Sequence, residues 1–271
     1  MKMATLKLTI LDREGVTRAS SLQGKRISMV YSSAYEPGDR ILLETDAPGL
    51  FCTVQFEDSM APATIFVKGT KADFPIPPPD NRPNYSPKSF TGAKHVVRAR
   101  IAAGEEISAR RCLSFNPYDS HGGHGLYPHA SANVETRNEA VFAARNAIDG
   151  IFENTSHGEY PYESWGINRD PNAQLTVAFG REVLIDEIRI TLRADFPHDN
   201  YWEKATVEFS DGSGEILKLG KTADTQIFPI APRAAESAIL KDLIRAEGPS
   251  PFPALTQIEF YGSEAKAERN R

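Results

Sequence analysis

The sequence predicts an all-β protein built as two tandem β-sandwiches. Apolar residues recur at every second position in short segments along the whole chain, the period of a strand with one buried face. Proline-glycine and aspartate-glycine turns separate these segments. With 271 residues, 40% of them hydrophobic, the chain is long enough for two cores.

In the first half the alternation picks out Leu6/Leu8/Ile10, Ile27/Met29/Tyr31, Leu50/Cys52/Val54/Phe56, Ile65/Val67 and Val97/Ala99/Ile101. Turns are expected at Glu36–Asp39 and Ala47–Gly49. The run Pro75–Pro83 lacks backbone donors and reads as a long surface loop. A sandwich over residues 1–112 follows. Residues 113–128 are rich in breakers yet carry Phe115, Tyr118 and Tyr127, which predicts a packed connector. In the second half Leu175/Val177/Phe179, Ile188/Ile190/Leu192, Val207/Phe209 and Ile258/Phe260 predict another sandwich over residues 129–264. A short helix is expected over Glu139–Ile148, capped by Asn138. Glu236–Ala246 satisfies helix by propensity and strand by position, and residues 265–271 read as a disordered tail.

The formal net charge of -5 removes the basic surplus that nucleic acid or an anionic membrane surface requires. No stretch approaches the roughly 20 apolar residues of a membrane span. Cys52 and Cys112 lie far apart without metal-ligand spacing, so both are expected as buried free thiols in a cytoplasmic chain. There is no GxSxG elbow, Walker loop, dinucleotide fingerprint or HExxH, and no catalytic residue is assigned.

The string Ala143-Ala144-Arg145-Asn146-Ala147-Ile148-Asp149-Gly150 resembles the opening signature of discoidin, or coagulation-factor type C, domains. It is preceded by Ala130–Asn133. It is followed in order by Ser164-Trp165, Gln174–Gly180, Ile185–Leu192, Ala205–Gly212 and Gln257–Gly262, each similar to a successive strand of that family. The resemblance spans His129–Gly262 and implies a galactose-binding-like jelly roll with Trp165 in its core. It also implies carbohydrate as the ligand, although the family has lipid- and protein-binding members. Ile151 stands where the family often places an acidic residue that helps hold calcium, and the terminal cysteine pair of secreted members is absent.

The loop Leu192–Trp202 mixes charge, imidazole, amide and aromatic rings, as a sugar site requires. Arg193, Asp195, His198 and Asn200 are the candidate ligands of sugar hydroxyls, with Tyr201 or Trp202 stacked on the ring. Tyr160 and Tyr162 are expected beside them. If an ion binds, it is a structural calcium at Asp149, Asn154 and Glu259. His121, His124 and His129 match no standard zinc spacing. The resulting expectation is a non-catalytic carbohydrate-binding protein. One alternative is a glycoside hydrolase-like enzyme with an interdomain active site around Tyr118–Tyr127 and the Arg193 loop, for which Glu159, Glu163, Asp195 and Asp199 are available carboxylates. The other is an interaction module covered by a partner, or by a second copy in a homo-oligomer.

Overall fold

The computed structural model describes residues 4–121, 123–153, 158–194 and 200–265. Strands are β1 Leu6–Leu11, β2 Thr17–Ser20, β3 Arg26–Tyr31, β4 Arg40–Thr45, β5 Leu50–Gln55, β6 Ala63–Val67, β7 Lys71–Pro75 and β8 His95–Ile101. They are followed by the short helix α1 Gly104–Ser108, then β9 Arg111–Cys112, β10 Leu126–Tyr127, β11 His129–Ala132 and β12 Trp165–Gly166. The long strands of the second half are β13 Leu175–Leu192, β14 Trp202–Phe209, β15 Gly214–Lys218, β16 Gln226–Arg245 and β17 Ala254–Glu264. The protein is thus all-β, as its alternation predicts.

In the first half a four-stranded sheet, β2-β1-β4-β7, and a five-stranded sheet, β10-β6-β5-β8-β3, close on one apolar cluster. Leu6, Leu8 and Ile10 enter it from one side, and Cys52, Val54, Ile65, Val97 and Ala99 from the other. The second half is built on an eight-stranded sheet with the path β12-β17-β13-β16-β14-β15, to which β11 and β9 add.

The phase of β13 explains how that sheet encloses a core. Leu175, Val177, Phe179, Val183 and Ile185 face inward at odd positions, whereas Ile188, Ile190 and Leu192 face inward at even ones. A register shift between Ile185 and Glu187 absorbs the change. One inserted residue turns every later side chain over, so the bulge keeps the inner face apolar along the whole strand. Leu175–Ala178 pair with β11 and Val183–Leu192 with β17, while β16 follows both stretches. Gly180, at φ 74°, lies between these two paired stretches, and an added Cβ there would meet the Tyr127 ring at 2.4 Å.

Two elements cross between the halves. β9 pairs with β17, so Arg111 and Cys112 join the second sheet although the alternation reads them with the first half. β10 pairs with β6 and carries the connector back into the five-stranded sheet. Tyr118 of the connector is fully buried in the first cluster, its hydroxyl donating to the Ala61 carbonyl at 2.8 Å. Among the described residues both cysteines are free; Cys52 is buried and Cys112 half-buried.

The expected helix over Glu139–Ile148 is replaced by two 3-10 turns, Ala140–Phe142 and Ala144–Ile148. Asn138 sits at φ 54° and cannot open a helix as a cap. Ala143 is extended between the turns, and the Asn146 amide donates to the Ala140 carbonyl, competing with a backbone ladder. Of Glu236–Ala246, all but Ala246 resolves as strand, within β16.

Gly262 lies in β17 opposite both Ile185 and Arg111. A Cβ there would fall 1.9 Å from the Leu184 carbonyl oxygen, a backbone atom that cannot move alone. Gly262→Ala is therefore expected to destabilise the protein by about 2 to 4 kcal/mol, in the range of severe core overpacking. Equilibrium denaturation checks it, and a midpoint within error of wild type would refute the packing argument.

Candidate functional site

A buried polar network lies where the two apolar clusters meet. Arg145 belongs to the second half and is buried, with 5% of its surface exposed. Its Nε donates to the Asp119 carbonyl at 2.9 Å, Nη2 to the Pro117 carbonyl at 3.0 Å and Nη1 to Asn146 Oδ1 at 3.0 Å. Its guanidinium lies 4.7 Å from the centre of the Tyr85 ring. Asn84 Nδ2 donates to the same Asn146 Oδ1 at 3.0 Å. Thus one buried cation binds the connector and stacks on the first half, while its donors are matched by oxygens, the condition for burying charge without a large penalty.

A recess of about 230 Å³ opens beside this network. The first half contributes Ser59–Ala61 and Asn84–Ser86, the connector Phe115 and Pro117, and the second half Arg145, Asp149–Ile151 and Tyr160. The Tyr160 amide donates to the Pro83 carbonyl at 2.5 Å, which fixes this loop against the proline-rich segment. Rings of Tyr85, Phe115 and Tyr160 therefore share a small cavity with amide, guanidinium and carboxylate groups.

Two buried carboxyls accompany Arg145. Burial pushes Asp149 up to about 6, against the pull of the Arg145 charge 3.7 Å away. Glu163 is pushed up to about 8 by burial and then by Asp149, and neither of its oxygens has a hydrogen-bond partner among the described residues. Burial thus favours the protonated form of Glu163. Asp149 Oδ1 accepts from the Ile151 amide at 2.9 Å and from Gln257 Nε2 at 2.9 Å. The same Gln257 nitrogen donates to the carbonyls of Asn146 at 2.7 Å and Ile151 at 3.0 Å.

The residues singled out in the sequence divide. Tyr160 lines the recess, and Tyr162 is half-buried nearby with its carbonyl accepting from Arg193 Nη1 at 2.6 Å. Arg193 itself is fully buried, so its reading as an exposed sugar ligand is corrected. Its backbone extends the β17 ladder through the Ala254 carbonyl, which turns the side chain inward. Asn200, expected in a surface loop, is also buried: Nδ2 donates to the carbonyls of Ala246 and Ser250, and Oδ1 accepts from the Tyr201 amide. Trp202 is not a stacking platform. It is 1% exposed and lies 6.3 Å from Trp165, inside the core that Tyr201 packs against. Asp195 and His198 lie outside the described residues, as does Asn154 of the expected calcium set.

Of that set, Asp149 is occupied by Gln257 and Ile151, and Glu259 accepts from the Tyr261 hydroxyl at 3.2 Å. Where a cation would sit against Asp149, an amide nitrogen is placed among three oxygens. Among the described residues no group of three or more His, Cys, Asp or Glu is arranged to hold a metal. Two of the histidines face a carboxylate: His129 Nδ1 is 2.6 Å from Asp119 and His121 Nε2 is 2.8 Å from Glu135. These bonds raise both imidazoles above their ordinary range. Alternation could not reveal Asn84, Tyr85 and Arg145, because their roles arise from contacts across the chain; an arginine within an alanine-rich turn was the one visible sign.

Glu163, His121 and His129 share a sign. Each binds its proton more tightly when folded, so each stabilises below its unfolded value, near 4.5 for the acid and 6.5 for the imidazoles. That contribution is lost as pH rises through the folded value. Thermal stability is expected to fall between pH 5 and pH 8. In Glu163→Gln the decline should be smaller by about 1 kcal/mol or more. Chemical denaturation at both pH values tests this, and an identical decline in the variant would remove Glu163 from the account.

No family model matches the chain, and no curated protein matches it. Its structural neighbours include carbohydrate-binding modules and lectin domains. A chitosan-binding module from a chitosanase/glucanase of Paenibacillus sp. IK-5 is 17% identical, with 56% of this chain and 99% of that one covered and a TM-score of 0.39. A family 32 carbohydrate-binding module of C. perfringens NanJ, in complex with galactose, is 21% identical over 49% of this chain and 91% of its own, with a TM-score of 0.38. The lectin domain of lectinolysin, complexed with Lewis B antigen, is 12% identical over 56% of this chain and 97% of its own, with a TM-score of 0.40. At these scores none of them bears on the ligand of this chain.

Proposed function

We propose that the protein is a non-catalytic carbohydrate-binding protein of the discoidin-like type, and that the sugar enters the recess at the junction. The observation that carries this reading is the lining itself: three aromatic rings, Tyr85, Phe115 and Tyr160, around planar polar groups of Asn84 and Asp149. A pyranose presents an apolar face to a ring and paired hydroxyls to amides and carboxylates, so such a lining suits it. The volume is near the small end of ligand pockets, which favours one sugar unit held inside with the rest of a glycan outside.

A glycan-active enzyme is the second reading. Glu163 and Asp149 would supply a protonated and a more acidic carboxyl, the pairing that glycoside hydrolysis uses. Binding stands first because both oxygens of Glu163 are sealed from solvent.

The test is a glycan-array screen followed by calorimetry on the strongest hit. Tyr160→Ala is expected to weaken binding about three- to tenfold with little loss of stability, since the ring is half-buried and its backbone bond survives. Unchanged affinity in Tyr160→Ala would remove the sugar from the recess. Release of free sugar from the hit would favour the enzyme.

A further inference from the structure

The open face of the five-stranded sheet carries a second recess, of about 350 Å³, with a different chemistry. Strand alternation sends Ile27, Val54, Val97 and Ala99 into the core, so Arg26 and Ser28 of β3, Arg98 and Arg100 of β8, and Thr53 and Gln55 of β5 share the outer face. Register places Arg26 directly opposite Arg100, and Arg98 between Ser28 and Gln55. Like charges directly opposite on a sheet are destabilising, and this pair stands in a chain whose net charge is -5.

The acids do not neutralise the face. Arg100 is matched by a two-pronged pair with Glu106, both bonds 2.6 Å. Arg98 has one bond, to the Gln55 side-chain oxygen at 3.2 Å. Arg26 is exposed and makes no side-chain hydrogen bond or ion pair among the described residues. Two guanidinium charges therefore remain uncompensated beside a hollow edged by hydroxyl and amide groups. A guanidinium fork matches a carboxylate or sulfate in two bonds, and the hydroxyls and amide beside it match sugar hydroxyls.

We infer that this face is a second binding site, for an acidic sugar unit whose carboxylate is held by Arg26 and Arg98. That the anion belongs to a sugar rests on the carbohydrate reading above; anion recognition by the arginines does not. The occupant differs from that of the junction recess, whose own cation is already saturated by carbonyls.

The experiment is calorimetric titration of the full chain with trigalacturonate, with inorganic sulfate and with a poly-glutamate peptide. Trigalacturonate is expected to bind most tightly, and Arg26→Gln and Arg98→Gln each to weaken it about tenfold or more, because each removes a charge-assisted contact. Tyr160→Ala should leave this affinity unchanged. Arg26→Gln relieves the repulsion with Arg100, so its melting temperature should equal or exceed that of wild type, and lost binding will not reflect unfolding. Absence of trigalacturonate binding, or affinity unchanged in both arginine variants, would overturn the inference. Loss in Tyr160→Ala alone would overturn it while supporting the junction site. Tighter binding of sulfate or of the peptide would overturn the assignment to a sugar acid.

Discussion

The architecture depends on burying arginine at the seam between two apolar clusters. Arg145 stacks on Tyr85 and donates to two carbonyls of the connector. Arg181, likewise from the second half, lies over Phe51 and Phe66 at 4.9 and 5.2 Å while it pairs with Glu264 at 2.6 and 2.7 Å. Each guanidinium offers a flat apolar face to a ring of the first half and a rim of donors to oxygens around it. An apolar seam would hold the halves by area alone; these arginines also fix their register, because truncating either strands several carbonyls or carboxylate oxygens in the interior.

The recess follows from that constraint. The connector must bring the carbonyls of Pro117 and Asp119 to Arg145, and the proline-rich loop must bring Tyr85 over it. The space left beside them is lined by whatever those segments carry. Its polar groups are held by their own bonds and by Gln257, whose amide gathers three oxygens of the 146–151 turn. A ligand would thus meet a surface already arranged, at little cost in ordering side chains. Asp149 and Glu163 are the electrostatic consequence of the same burial, two acids raised above their ordinary range in a place that favours the protonated form.

What could be read in the sequence was local. Period-two alternation marked the strands, and the change from odd to even inward positions between Phe179 and Ile188 marked the bulge in β13 for a reader who followed the phase. The role of Trp165 came from order along the chain and not from periodicity. The site was less legible because polarity in a loop does not say which way a side chain points. Arg193, Asn200 and Trp202 look like a binding loop in one dimension, yet the ladder from β17 and the carbonyls of Ala246 and Ser250 draw them inward. Asn84 and Tyr85 end a proline-rich segment that reads as surface, and they become interior through partners about 60 residues distant, Asn146 and Arg145. Contacts of that range leave no local signature.

The claim that the junction is organised by Arg145 is tested most directly by hydrogen exchange on Arg145→Met, which keeps much of the side-chain volume and removes the donors. The account predicts joint loss of protection at the amides of Asn116, Tyr118 and Ala130, whose acceptors belong to the connector and the 144–148 turn, while β1, β5, β13 and β17 stay protected. Protection unchanged at those three amides would contradict it, and would leave the seam to apolar area and Arg181.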